Sequence, residues 1–504
     1  RLTAVSGLAG EATYAYDDAG HLVAQTDALG RVTRHAYDAA GRRISRQYPG
    51  GETETFAHDA AGNRVSSTDP SGRTTTYVHD AMDRLGRTNL PGGSVIRTDY
   101  NADGTRASVT DARGVTTYSY DSLGRLAGVT HPGGEALGYT RDAGGNLVAL
   151  TAPAGSASYG YDALGRLVQF TTPEGTGTQA YDLAGNRVRR TLANGISTDY
   201  AFDPRNRLTQ LVHRAGGGAT LASFAASYSP AGRRTQVTEG DGSAVAYSYD
   251  ARGRLAAESR TGSQPYAIAY AYDAVGNRTQ KTSAAGTATY TYDANDRLLS
   301  DGTSTYAWDA NGNLVSRTSG AATVQYGYDG QDRLVAVQGG GTAVQYAYDA
   351  DGNRVQASTA AGVTRFLVDR ANATGLSQVL EERDGNGALK ARYAYGGELL
   401  ALARMTGTSH VLADTQGNTR RLADGSAAVT DSYLYDAYGE TLASTGTTDN
   451  PYRYGGQRFD AESGFYSLRA RYYDPGRGRF LSRDPYRGDP RSPASLHRFL
   501  YADA

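Results

Sequence analysis

The sequence predicts an all-β fold, a long spiralling antiparallel sheet of repeated hairpins that forms a hollow shell. Three observations predict it. Gly accounts for 64 of 504 residues and Tyr for 38, against one Trp and two Met. That bias favours short strands and turns over a helical bundle. A Y-x-Y-D string recurs at Tyr14–Asp17, Tyr118–Asp121, Tyr159–Asp162, Tyr247–Asp250, Tyr270–Asp273, Tyr290–Asp293, Tyr326–Asp329 and Tyr346–Asp349. Degenerate copies such as FAHD at Phe56–Asp59 and YVHD at Tyr77–Asp80 fill the gaps, so the anchoring Asp sits at 17, 38, 59 and 80, a step of 21, and a fixed period of that size marks a repeat array.

One unit reads as one hairpin. Tyr14 and Tyr16 are two apart and share a strand face. Asp17, Asp18, Ala19 and Gly20 form the turn, with Gly supplying the left-handed residue and the Asp carboxylate accepting backbone N–H groups. Leu22 and Val23 begin the return strand. A second turn, marked by Gly30 or by Pro49-Gly50 and Pro132-Gly133, leads to the next unit. A Gly every ten or so residues breaks any helix drawn through the same positions. Seventeen units from about residue 10 to about residue 360 give roughly 34 strands, a sheet on the order of 160 Å long. A twisted sheet of that length coils. Closed in one turn it has a radius of about 25 Å, too wide for side chains to fill. A straight solenoid with a filled core is the alternative.

Three parts follow: a YD-repeat shell over 1–365, degenerate repeats over 366–450 that keep a YLYD copy at Tyr433–Asp436, and a distinctive Arg- and Tyr-rich segment over 451–504. The last reads as a terminal cap. Because the chain opens at Arg1 within a repeat, it reads as a fragment whose export route is not legible.

Composition excludes several functions. No run approaches the ~20 apolar residues that span a membrane. A net charge of −1 gives no drive toward nucleic acid, and Lys281 and Lys390 are the only lysines. Cys is absent, which removes disulfides, thiol nucleophiles and thiolate metal sites. Catalytic triads, H-E-x-x-H, P-loop and G-x-S-x-G arrangements are missing. No cofactor or metal is expected. The repeated Asp residues read as turn formers, without the alternation of calcium-binding rolls. The Tyr ladder reads as cross-strand packing in preference to a carbohydrate platform. His58 and His79 read as substituted ladder positions in preference to a metal pair. In the Arg-rich segment, Asp460, Glu462, Asp474, Asp484 and Asp489 interleave with the arginines, which suggests planar ion pairs inside a plugged end.

The Y-x-Y-D-x-x-G-[RN] units resemble YD repeats. The block from Pro451 to Pro485 resembles the core segment that ends the shell of Rhs proteins and of the C components of insecticidal toxin complexes. His410–Arg420 resembles the H-x-x-D-x-x-G-x-x-R element upstream of it. The resemblance implies a cocoon that encloses a C-terminal toxin cargo of the same chain. It also implies an N-terminal plug, a secretion-apparatus or toxin-complex partner, and a secreted protein. It implies at most an aspartic-type self-cleaving peptidase. Asp484, in Arg483-Asp484-Pro485, matches one of two catalytic aspartates, and Arg471 matches an associated arginine. The second D-P-x-G does not occur before Ala504, and Asp489-Pro490 does not fit it, so this chain carries half a dyad. The competing expectation is a wall-associated protein that binds glycans or neighbouring cells.

Overall fold

The computed structural model describes residues 2–7, 10–486 and 488–501. Arg1 and Ala504, the two ends from which a longer chain was inferred, lie outside them.

The YD units form the anticipated hairpins. In the first, strands Gly10–Tyr16 and Leu22–Thr26 pair antiparallel with Tyr14 opposite Gln25. The turn closes through Asp17 N–H to His21 O (3.1 Å) and Gly20 N–H to Asp17 O (3.0 Å). In the Asp162 unit, Oδ1 accepts the N–H groups of Leu164 and Arg166 at 2.9 and 3.0 Å, and Oδ2 accepts Arg166 Nε at 2.7 Å. The fourth turn residue is left-handed, as at Gly165 with φ 74°. Where it is not Gly it is Asp83, Asn206, Asp296 or Asp332, types that tolerate this region.

Each unit also carries a device for curvature. Ala15 faces Ala24 but Tyr16 faces Leu22, so one residue of the return strand is left over. The same slip occurs at Tyr120, Tyr161, Tyr181 and Tyr348. Such a bulge bends its strand and adds twist. Most opposite turns of the first circuit, such as Thr172–Gly175, pair without a slip, whereas those after His213 and Glu382 carry one. Bulges repeated along one edge curl the ribbon in one sense.

The curl returns the chain to itself. Arg31 reaches the Asp293 carbonyl, 262 residues on. Arg106 binds Asp351, 245 residues on. The Tyr139 hydroxyl binds Asp369 across 230 residues, and His213 binds the Ala413 carbonyl across 200. Glu258 accepts the Ala437 N–H across 179. The interval shrinks along the chain, so the ribbon is a narrowing spiral. At about ten residues and ~4.8 Å per strand, circuits of 245 and 179 residues measure about 120 and 85 Å, with radii near ~19 and ~14 Å. The radius falls below the ~25 Å of a single closed turn because the ribbon makes more than one circuit. The ladder runs in blocks of 28 and 16 strands. At their junction the Tyr290 N–H still donates to Thr279 O at 2.9 Å. A separate four-stranded sheet lies within Arg458–Phe480.

Packing fixes which face is inside. The first tyrosines of later units, Tyr306, Tyr326 and Tyr346, cluster with Phe465, Tyr472 and Leu481 of the C-terminal segment. The Tyr face is therefore concave. Along 407–423 the second circuit lies between two layers. Leu412 packs against Phe170 and Ile196 of the first circuit, while Val411 and Leu422 face Tyr466 and Tyr473. Neighbouring residues of one strand point to opposite faces, and here both faces are dry.

Candidate functional site

The plugged end is built from the repeat outward. Arg354, the first residue of return strand Arg354–Thr359, leaves the shell wall to pair with Asp460 and to donate to the Tyr472 hydroxyl at 2.9 Å. Arg458 pairs with Glu382 at 2.5 Å, and Arg477 with Asp301 at 3.1 Å. The expected Arg–carboxylate pairing therefore holds for Asp460, for Asp474 with Arg477 (3.6 Å), and for Asp484. Glu462 and Asp489 make no ion pair among the described residues.

The His410–Arg420 element is a seat for this plug. Asp414 closes the turn by accepting the Asn418 N–H at 3.1 Å and its side-chain amide at 2.9 Å. Asn418 Oδ1 then accepts the Gly455 N–H at 2.7 Å, and the Thr419 N–H donates to Arg453 O at 3.0 Å. Gly439 admits the Tyr454 ring, whose Cγ lies 2.6 Å from where a Cβ would stand.

The two residues singled out from the sequence meet. Arg471 Nη2 lies 2.5 Å from Asp484 Oδ2. Strand Arg471–Asp474 supplies the arginine, and the chain leaving Arg479–Phe480 supplies the aspartate. Arg471 is fixed from behind: its guanidinium carbon sits 3.5 Å from the Phe480 ring centroid, and Nη1 donates to Arg498 O at 3.2 Å. Burial pulls the Arg471 pKa below its usual value, and the Asp484 charge opposes that pull. Asp484 is anchored through its backbone N–H to Arg498 O (2.9 Å), and its Oδ1 accepts the Tyr486 N–H at 2.8 Å. Among the described residues no second carboxylate bonds to it. The arrangement offers one oriented carboxylate beside one buried cation.

Sequence reasoning missed a second group of buried acids. Glu258 is 1% exposed and accepts Tyr270 and Tyr266 hydroxyls at 2.6 and 3.1 Å and the Ala437 N–H at 2.9 Å. Burial, with Asp436 nearby, pushes its pKa up. Burial also pushes Asp436 up, against Lys281 at 3.0 Å. Every oxygen here has a donor, so the group fastens a hairpin to the wall. Its one sequence signal is that Glu258 stands opposite Tyr247 on the Tyr face. His497 is likewise structural: Nε2 meets Asn277 Oδ1 at 2.9 Å, Nδ1 accepts the Phe499 N–H at 3.1 Å, and burial pushes it down to about 3.

A bulged hairpin ribbon, coiled with its Tyr face inward and stopped by an internal plug, defines a β-shell protein. The chain belongs to the teneurin YD-shell family, whose model matches residues 231–499, more than half of its length. RHS repeat models match 1–53, 58–95, 100–136, 139–176 and 181–219. Among curated relatives, the tRNA3(Ser)-specific nuclease WapA of Bacillus spizizenii is 33% identical over 157 residues, 30% of this chain and 7% of that protein. Salivary gland surface protein 1 of Aedes aegypti is 39% identical over 90 residues, covering 17% and 3%. The crystal structure of TcdB2-TccC3-TEV superposes with a TM-score of 0.79 at 18% identity, over 98% of this chain and 30% of that one. At that identity the likeness is one of fold. The chain spans a small part of each relative.

Proposed function

We propose that this chain is the enclosing shell of a secreted bacterial toxin, with a cargo domain of the same polypeptide held inside. One observation carries the reading. From residue 49 to residue 108 the sheet is regular and yet no residue is buried. A sheet needs a partner layer for its apolar face, and this stretch has none among the described residues. Its concave side carries Phe56 and Tyr77, with the Arg64 guanidinium 5.7 and 5.2 Å from the two ring centroids. Such stacking covers the rings with charge and leaves a wall that an unfolded chain can touch without adhering. The relationship to a tRNA-specific nuclease and the fold shared with TccC3, a component of the Photorhabdus luminescens Tc holotoxin pore, support the same reading. A glycan-stacking surface fits less well, because the convex face of strand Thr74–His79 carries Thr74, Thr76 and Val78 instead of aromatics. Among the described residues no helix is long and apolar enough to cross a membrane.

The proposal assigns self-cleavage to Asp484. Its carboxylate takes a proton from water as the water oxygen adds to a peptide carbonyl carbon. The C–N bond then breaks, leaving a carboxylate and a protonated amine. Two carboxylates share this work when one holds a proton and the other is ionised. In the motif this chain resembles, the second follows some twenty residues later. Arg471 is a positioning residue, holding the Asp484 carboxylate in place through Nη2 at 2.5 Å.

The test restores the natural downstream coding region. A protected cargo resists protease until the shell is unfolded, and Asp484→Asn leaves the precursor uncut on a gel. Digestion of the cargo at the rate of the isolated domain overturns the container. Normal cutting of the variant removes Asp484 from the chemistry.

A further inference from the structure

We infer that the cavity beside the Asp484 loop binds a polypeptide carboxylate, the group released by hydrolysis there. The choice of a carboxylate rests on the self-cleavage reading; the excess of positive charge does not.

The cavity holds about 250 Å³ between the first circuit at Arg46 and Tyr48, the turn Ala294–Arg297 of the second circuit, and a cover that includes Gly488 and Phe499. Arg46, Arg483 and Arg498 line it. Arg46 is 5% exposed, and Nη1 donates to the Tyr48 hydroxyl at 3.1 Å. Its Nε lies 3.3 Å from Glu54 yet is buried without a hydrogen bond. Arg483 lies over the Tyr48 ring, 4.1 Å from its centroid. Arg498 donates to the Tyr486 carbonyl.

The acids around the cavity other than Glu11 are already committed. Asp27 and Asp296 hold Arg31, at 2.7 and 2.8 Å. Glu52 and Asp293 hold Arg297, at 3.0 and 2.5 Å. Asp484 is held by Arg471. Glu11 is the remaining acid of the lining. Among the described residues neither Arg483 nor Arg498 has a carboxylate within ion-pair distance. Burial and the Arg46 charge push Arg498 down to about 10, with Arg483 adding to the effect. Like charges crowded in this way are relieved by an anion, and planar guanidinium groups match a carboxylate edge with paired hydrogen bonds. A cut chain end, generated by the residue next to Arg483, is such an anion. Its capture would keep the severed end seated on the plug.

The test titrates this chain at low salt with N-acetyl-Gly-Leu, with its C-terminal amide, and with inorganic phosphate. The free acid is expected to bind at least tenfold more tightly than the amide. Arg483→Gln, and separately Arg498→Gln, should weaken the free acid at least tenfold, with the β-sheet circular dichroism unchanged. Equal binding of acid and amide, or full binding by both variants, overturns the site. Phosphate binding without a response to the acid overturns the carboxylate assignment. Asp484→Asn separates the two readings. Cleavage unaffected by that variant, with acid binding intact, removes the cleavage reading and leaves the site.

Discussion

Residues 49–108 and 362–435 are made of the same hairpin in opposite surroundings. The first stretch has no buried residue, and the second has strands dry on both faces, with Leu412 and Leu422 fully buried. Both keep the same turns: Asp59 accepts the Asn63 N–H at 2.9 Å, as Asp414 does that of Asn418. The hairpin therefore does not depend on a core. It is held within the ribbon by turn and ladder, and across units by the residue after the turn. Arg125 donates to the Asp142 carbonyl of the next unit at 2.8 Å, and Arg166 to that of Asp182 at 3.3 Å. The Arg166 guanidinium also lies 4.9 Å from the next Tyr181 ring centroid. Second tyrosines reach back in the same way, as Tyr161 donates to Leu147 O at 2.9 Å. A wall built like this can face empty space.

Three substitutions sharpen or break that contrast. The largest effect is expected where shell and plug share a buried charge. Asp460→Ala leaves Arg354 uncompensated and should cost about 3–5 kcal/mol, read as a lower urea midpoint and faster proteolysis of the 451–501 segment. An unchanged midpoint would mean that the plug is not part of the cooperative unit. Next, Leu412→Ala should cost about 2–5 kcal/mol, whereas Ile96→Ala, half-buried on the single-layered wall, should cost under ~1 kcal/mol. Equal costs would erase the distinction between the two stretches.

The effect expected at the plug's end is acid-driven and smaller than that of losing the Asp460 carboxylate. His497 is held neutral, down to about 3, against an ordinary 6.5. The unfolded chain binds the proton first, so stability is complete above pH 6.5 and falls as the pH drops toward 3. At pH 5 the loss is about 2 kcal/mol. Hydrogen exchange at 497–501 should speed up between pH 7 and 5, and His497→Gln should flatten that dependence.

Much of this was legible in the residues. The period, the Asp turn and the left-handed Gly are local chemistry, and the structure repeats them unit by unit. The pairing of Arg471 with Asp484 came from the resemblance of one segment. What stayed hidden depends on curvature. Asp296 and Asp332 occupy the left-handed turn position that Gly takes in most units. They are also the acids that Arg31 and Arg73 reach from the other circuit, at 2.8 and 2.6 Å. No local pattern gives an offset of some 260 residues, because it follows from the sum of many small bends. The inner wall has no buried residue over 49–108 but is covered beyond Leu137, where wall leucines meet Leu367 and Leu380 of the inner circuit.

The seam between circuits has a mechanical consequence. Along the ribbon, strands are joined by continuous backbone ladders; between windings, the bonds include side-chain pairs such as Arg106–Asp351 and Arg392–Glu174. The object is thus anisotropic, like a clock spring wound with a strong tape and a weak glue. Loosening would begin at these seams, slowed where Leu412 packs on Phe170 and Ile196, and would leave the hairpins folded.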